Sequence, residues 1–148
     1  MITVSDTRTT ANDTSGDAIA QLLTAAGHTV VERRLLRDEP AMVREAVQAA
    51  GGRADVVITT GGTGITARDS TYEAIAALLE KRLDGFGELF RMLSYEEIGA
   101  AAMLSRAIAG TMGRVAVFAL PGSENAVRLA LSKLIVPEVA HVVRELRR

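Results

Sequence analysis

Asp6, Asp38 and Asp69, each just beyond an apolar run, and the glycine stretch Thr60-Gly61-Gly62-Thr63-Gly64 are the residues of this chain best suited to chemistry. Three glycines within four residues let a backbone turn tightly and offer N–H groups to an anion that side chains would otherwise shield. The stretch follows Val56-Val57-Ile58, which reads as a buried strand, and precedes a helical pattern over Tyr72 to Leu79 with Asp69, Ser70 or Thr71 as its cap. Strand, glycine turn and helix outline a phosphate site, because a helix N-terminus adds unpaired N–H groups and partial positive charge. The same stretch also reads as an ordinary tight turn, and each aspartate as a helix cap. It is not a Walker A loop, since no Gly-Lys-Ser/Thr follows, and it does not match GxGxxG.

What is missing narrows the chemistry. Without cysteine there is no thiol nucleophile, disulfide, zinc thiolate or iron–sulfur site. The two histidines, His28 at the start of an expected strand and His141 in the last helix, read as structural or surface residues away from the glycine stretch. A hydrolytic triad is therefore not expected at that edge. Carboxylates beside glycine turns suit magnesium held between protein and phosphate oxygens. Two like unit charges about 4 Å apart cost about 1 kcal/mol in water and about 4 kcal/mol at an effective dielectric of about 20, so phosphate attacking phosphate needs neutralisation. A phosphate nucleophile is already deprotonated near neutral pH and needs no general base.

The elements that position these residues alternate between strand and helix. Met1 to Val4 is a short opening strand, short enough to expect either a few residues upstream or an unusual start. Asp13, Thr14 and Ser15 are cap candidates for a helix to about Ala26, with Ile19, Leu22 and Leu23 on one face. Thr29 to Leu36 reads as a second strand, and Pro40 opens a helix carrying Val43, Ala46 and Val47. Asp84 to Ile98 has Phe86, Leu89, Phe90 and Leu93 at helical spacing, a stripe that is either core or a subunit interface. Gly110 and Gly113 bracket a turn before the strand Val115 to Leu120, and a long helix, bent at Pro137, runs from Glu124 to Leu146. The pattern predicts a three-layer α/β/α sandwich with a mainly parallel central sheet. In such sheets ligands sit beyond the carboxyl ends of the strands. Ser5-Asp6, Arg37-Asp38, the glycine stretch through Asp69, and Pro121-Gly122-Ser123 should therefore meet on one edge, with Arg8, Arg37 and Arg68 nearby.

At 148 residues and 48% hydrophobic content, the chain suits a single domain over 1–148 with a sizeable core. A net charge of −1, no tryptophan and 3% aromatics argue against a nucleic-acid surface. No apolar run is long enough for a membrane span and no signal peptide is evident, so a cytoplasmic protein is expected.

The segments TTGGTGITARDSTYEA, GFGELFRMLSYEEIGAAAMLSRAIAG and ALPGSENAVRLAL, with TVSD at the start and DTSG at Asp13 to Gly16, closely resemble the molybdopterin adenylyltransferase family of molybdenum-cofactor biosynthesis. FRMLSYEEIG is most similar to its bacterial B-protein branch, a relative of the gephyrin G domain. Ile65 and Tyr72 stand where members often carry proline. The resemblance implies a molybdopterin-binding-like fold and Mg-ATP-dependent adenylation of molybdopterin with release of pyrophosphate. A carrier or assembly protein with little adenylation activity is the alternative. By motif, Asp38 and Asp69 are the catalytic and Mg2+-binding pair. Thr60, Gly61, Gly62, Thr63 and Gly64, with Pro121, Gly122 and Ser123, contact the nucleotide, and Ser5, Asp6, Ser15, Gly16, Ser105 and Arg106 contact substrate. The resemblance further implies a homotrimer, or a hexamer as a dimer of trimers, and the molybdenum-insertion enzyme of the pathway as a partner.

Overall fold

The computed structural model describes residues 1–148. In chain order its elements are β1 (Ile2–Val4), α1 (Thr14–Ala25), β2 (Arg34–Leu36), α2 (Pro40–Gly51), β3 (Val56–Thr60), α3 (Thr71–Ala76), β4 (Lys81–Arg82), α4 (Asp84–Ile98), β5 (Ile108–Met112), β6 (Val115–Leu120), α5 (Glu124–Ala130) and α6 (Val136–Arg147). Short 3-10 turns cover Thr10–Asn12 and Gly99–Leu104. The strands form one sheet in the order β2-β1-β3-β6-β5-β4. The first four in that order run parallel, while β5 runs against β6 and β4 against β5.

Alternation along β3 and β6 makes the layers. Val57, Val117 and Ala119 pack on one side with Val43, Ala46 and Val47 of α2 and Ile75 of α3. Ile58, Phe118 and Leu120 pack on the other with Ile19 of α1, Phe86 and Phe90 of α4, Val127 of α5 and Val139 of α6. A strand covered on both faces is apolar at consecutive positions, which is why these two strands are plain in the sequence. The expected sandwich, with a mainly parallel sheet between helical layers, is the fold observed.

Several boundaries differ from expectation. Residues 28–33 have no regular structure, so the second strand shrinks to Arg34–Leu36 and His28 is not on a strand. There the edge position leaves only β1 as a neighbour, while Arg33 pairs with Asp13 and Asp17 and Glu32 with Arg53. Helix α3 stops at Ala76, and by Glu80 the backbone already donates to the Thr111 carbonyl at 2.8 Å, leading into β4. Gly110 lies inside β5 rather than in a turn, where an added Cβ would strike the Lys81 carbonyl of β4. The turn is at Gly113, with φ +59°. Finally, the helical run from Glu124 to Arg147 is unbroken but passes through a π-helical turn over Leu131–Ile135 just before Pro137, so the regular i→i−4 ladder gives way next to the residue that has no N–H to donate.

Strand β1 lies between β2 and β3, so the chain turns one way from β1 and then the other, making a switch point at their carboxyl ends. The ladders continue one residue past the strands there. Ser5 N–H donates to Leu36 O at 2.8 Å and Gly61 N–H to Leu120 O at 3.0 Å.

Candidate functional site

The carboxyl ends of β1, β2, β3 and β6 open on a cavity of about 640 Å3. Ser5, Asp6 and Arg8 reach it from the loop after β1, and Asp38 from the loop after β2. Thr60 to Gly64, Arg68 and Asp69 enter after β3, and Pro121, Gly122 and Ser123 after β6. The four loops expected on one edge do meet there, although Arg37 is not part of the lining. The remaining wall is less polar: Phe90, Ser94 and Ile98 of α4, then Ala101, Leu104 and Ser105.

Glycines are needed where the loops touch. Gly61 has φ +96°, and a Cβ there would collide with the Val4 carbonyl at the switch point. Gly62, at φ +67°, would place a Cβ 2.5 Å from Oδ2 of Asp38 and against the Thr71 hydroxyl. At Gly64 the obstruction is Oδ2 of Asp69, at 2.6 Å. Gly122 approaches Gly61 so closely that an added Cβ would lie 3.3 Å from its Cα, and Thr60 Oγ1 donates to Pro121 O at 2.9 Å, so the loops after β3 and β6 are tied together. Ser123 caps α5 by accepting from Ala126 N–H at 3.2 Å.

The carboxyl groups are held by defined donors. Asp38, only 9% exposed, accepts from Ser70 Oγ at 2.7 Å, Thr71 Oγ1 at 3.3 Å and Ser70 N–H. It thereby caps α3, so that Ser70, at the N-cap position, uses its hydroxyl as a donor instead of capping. Asp69 Oδ2 accepts from Thr66 N–H at 2.9 Å and Thr66 Oγ1 at 2.5 Å, and the Thr66 bonds hold its carboxyl below the usual carboxylate range. Asp6 takes Arg68 Nη2 at 2.6 Å and Asp38 N–H at 3.2 Å, and the Arg68 bond is the main cause of its lowered pKa.

No three His, Asp or Glu side chains converge closely enough to hold a metal by themselves. Magnesium bound largely through phosphate oxygens and water needs only one or two carboxylates. The donors to Asp69 fall on one oxygen and those to Asp38 chiefly on Oδ1, so each keeps acceptor capacity. An anion docking beside ionised Asp69 also needs a cation. The residues therefore fit magnesium arriving with a polyphosphate, and not an ion held by protein alone.

Three sequence-assigned residues stand behind the cavity rather than in it. Ser15 is fully buried and donates to Gly122 O at 2.7 Å, and a Cβ on Gly16 would overlap the Asp13 carboxylate. Arg106 does not line the cavity either; its guanidinium donates to the Thr63 and Gly64 carbonyls. Ser105 does line it, and its Oγ is buried without any hydrogen-bond partner. The apolar wall escaped residue-level reasoning because Phe90 and Ile98 belong to a helical stripe that reads as core or interface. Phe86 and Phe90 are indeed core, while Leu89, Met92, Tyr95 and Ile98 on the same helix are exposed. Asp13 is a confirmed cap with more to do than capping. Burial alone would raise its pKa, but bonds from Thr3 Oγ1 (2.7 Å), Gly16 N–H (2.9 Å) and Arg33 (3.1 Å) outweigh that and lower it.

Residues 1–141 match the family described as probable molybdopterin binding domain. Molybdenum cofactor biosynthesis protein B of Bacillus anthracis is 55% identical over 151 residues, covering 100% of this chain and 89% of that protein. The protein of the same name from Bacillus subtilis (strain 168) is 51% identical with the same coverage. A crystal structure of molybdenum cofactor biosynthesis protein B superposes with a TM-score of 0.97 at 54% identity, covering 99% of this chain and 93% of that one. The tungsten cofactor synthesizing protein MoaB from Pyrococcus furiosus gives a TM-score of 0.86 at 44% identity, covering 99% and 94%. The family match over residues 1–141 and the likeness in sequence and structure over nearly the whole length agree, and the chain belongs to the probable molybdopterin binding domain family.

Proposed function

We propose that this protein works in molybdenum-cofactor biosynthesis as an adenylyltransferase, joining AMP from ATP to the terminal phosphate of molybdopterin. One observation carries the reading. A single cavity joins a glycine loop, with flanking aspartates, to a wall of Phe90, Ile98 and Leu104 that ends at the unpartnered Ser105 hydroxyl. A triphosphate suits the first half and a flat heterocycle the second, so their phosphates would meet between them. An oxygen of the molybdopterin phosphate attacks the α-phosphorus, forming a P–O–P linkage. The bond to the β-phosphate oxygen breaks, and pyrophosphate leaves with the electron pair. No proton has to be removed from the nucleophile, in keeping with a site without histidine.

Asp38 and Asp69 would hold magnesium together with the phosphates, and the ion would neutralise charge on the attacking and leaving groups. The glycine loop offers backbone N–H groups to the same charge, and Arg8 and Arg68 stand at the cavity as further cations. Supplied with molybdopterin and Mg-ATP, the purified protein should release pyrophosphate, and Asp69→Asn should slow release on the order of 10²-fold. Release no faster than that of the variant refutes the assignment.

A second reading, a molybdopterin carrier with little turnover, is favoured by the structural duties that Asp38 and Asp69 already have toward Ser70, Thr71 and Thr66. Tight molybdopterin binding without pyrophosphate release, both aspartates intact, selects it. The trimer or hexamer implied by resemblance has a candidate seat. Of nine exposed large hydrophobic residues, six fall on α4 and the turn that follows it: Leu89, Met92, Tyr95, Ile98, Met103 and Leu104. Exposed apolar side chains so concentrated in one stretch are what an interface leaves uncovered in a single chain, although Ile98 and Leu104 also line the cavity. Met92→Glu should lower the sedimenting mass, and a monomeric wild type at micromolar concentration refutes the assembly.

A further inference from the structure

We propose that Arg106 is a positioning residue for the glycine loop: by gripping two loop carbonyls, it keeps the loop's N–H groups available to phosphate. The inference rests on reading that loop as the phosphate site. Every buried backbone group needs a partner, so the loop can be accounted for bond by bond. Gly62 O accepts from Thr71 N–H at 2.9 Å, Thr63 O from Arg106 Nε at 3.0 Å, and Gly64 O from Arg106 Nη2 at 2.6 Å. Three consecutive carbonyls are thus claimed by protein donors. The N–H groups of Gly62 and Thr63, by contrast, donate to no protein acceptor. A flipped peptide would exchange these roles, turning a carbonyl towards the anion, and it would have to give up the guanidinium to do so.

The guanidinium is itself fixed. Its Nη1 pairs with Glu73, and its Cζ lies 4.8 Å from the centre of the Tyr72 ring. Both partners sit in the first turn of α3, so the grip ties the loop to the helix it leads into. Pairing with Glu73 compensates the charge and the side chain stays out of the cavity lining, which separates this role from direct contact with substrate. Lysine keeps the charge but has no planar fork to span adjacent carbonyls.

The test compares wild type with Arg106→Lys and Arg106→Gln. Amide hydrogen exchange is followed at Thr71, whose N–H closes the loop on Gly62 O, with ATP binding measured by calorimetry. Exchange at Thr71 should quicken about tenfold, and ATP should bind about tenfold more weakly, while protection in β3 and β6 stays as in wild type. Unchanged Thr71 exchange overturns the proposal, as does loss of protection spread equally through β3 and β6, the mark of a merely structural residue. Faster exchange with ATP affinity intact also overturns it. If wild type binds no ATP while Thr71 exchange still quickens in the variants, the grip stands and the phosphate reading falls.

Discussion

Gly62→Ala and Gly27→Ala differ in one respect that isolates the site's geometry. Both glycines have positive φ, +67° and +84°, so an alanine at either pays about 1–2 kcal/mol for a left-handed conformation. A less flexible unfolded chain returns about 0.4–1 kcal/mol of that. Around Gly27 there is nothing within 4 Å of an added Cβ, so the net cost should be about 1 kcal/mol. At Gly62 the methyl would lie 2.5 Å from Oδ2 of Asp38 and 2.8 Å from Cβ of Thr71. These groups must move, straining the bonds from Ser70 Oγ and Thr71 Oγ1 to Asp38, which adds about 2–3 kcal/mol of overpacking and lost hydrogen bonding. For a chain of this size about 1 kcal/mol shifts Tm by about 2–4 °C, so Gly62→Ala should melt about 5–10 °C below Gly27→Ala. Thermal unfolding of both variants in one buffer measures the difference. Equal Tm values would refute the view that Asp38 is packed against this glycine, and with it the placement of that carboxyl beside the loop.

Ser105→Ala removes a buried hydroxyl that has no partner, so Tm should hold or rise while molybdopterin binds about tenfold more weakly; a Tm several degrees lower would show that the hydroxyl has a structural partner instead. The lowered pKa of Asp13 means that its stabilisation is complete above its unfolded value of about 4 and is lost as pH falls through the lower folded value. Asp13→Asn should therefore reduce stability at neutral pH and flatten the loss on acidification below about pH 4, as followed by denaturant midpoints against pH. Arg68→Ala breaks the exposed link to Asp6 and should leave Tm unchanged while weakening ATP binding most at low salt; a large drop in Tm would make that link structural.

Which parts of this molecule could be read from its sequence follows from the range of the interactions involved. Strands β3 and β6 were plain because both faces are covered, and the meeting of four loops followed from the parallel sheet alone. Strand β4 was invisible: Lys81-Arg82 has no apolar pattern, and only its pairing with Gly110 and Thr111 makes it a strand. Arg106 entered as a substrate contact only through the motif it shares with the family, and it takes the distances to Thr63 O and Gly64 O, across 43 and 42 residues, to show it holding backbone. Asp38 is the sharpest case. A carboxylate after a strand can be a helix cap or part of a site, and residue type cannot choose between the two. In the fold it is a cap, but for α3, whose Ser70 lies 32 residues further on, and by capping that helix it is brought against Gly62. Capping and site formation are thus one arrangement: the helix whose N-terminus receives the carboxylate is the one that the glycine loop leads into. A substitution that frees Asp38 from Ser70 and Thr71 should therefore loosen the glycine loop as well as the cap, because the same carboxylate packs against both.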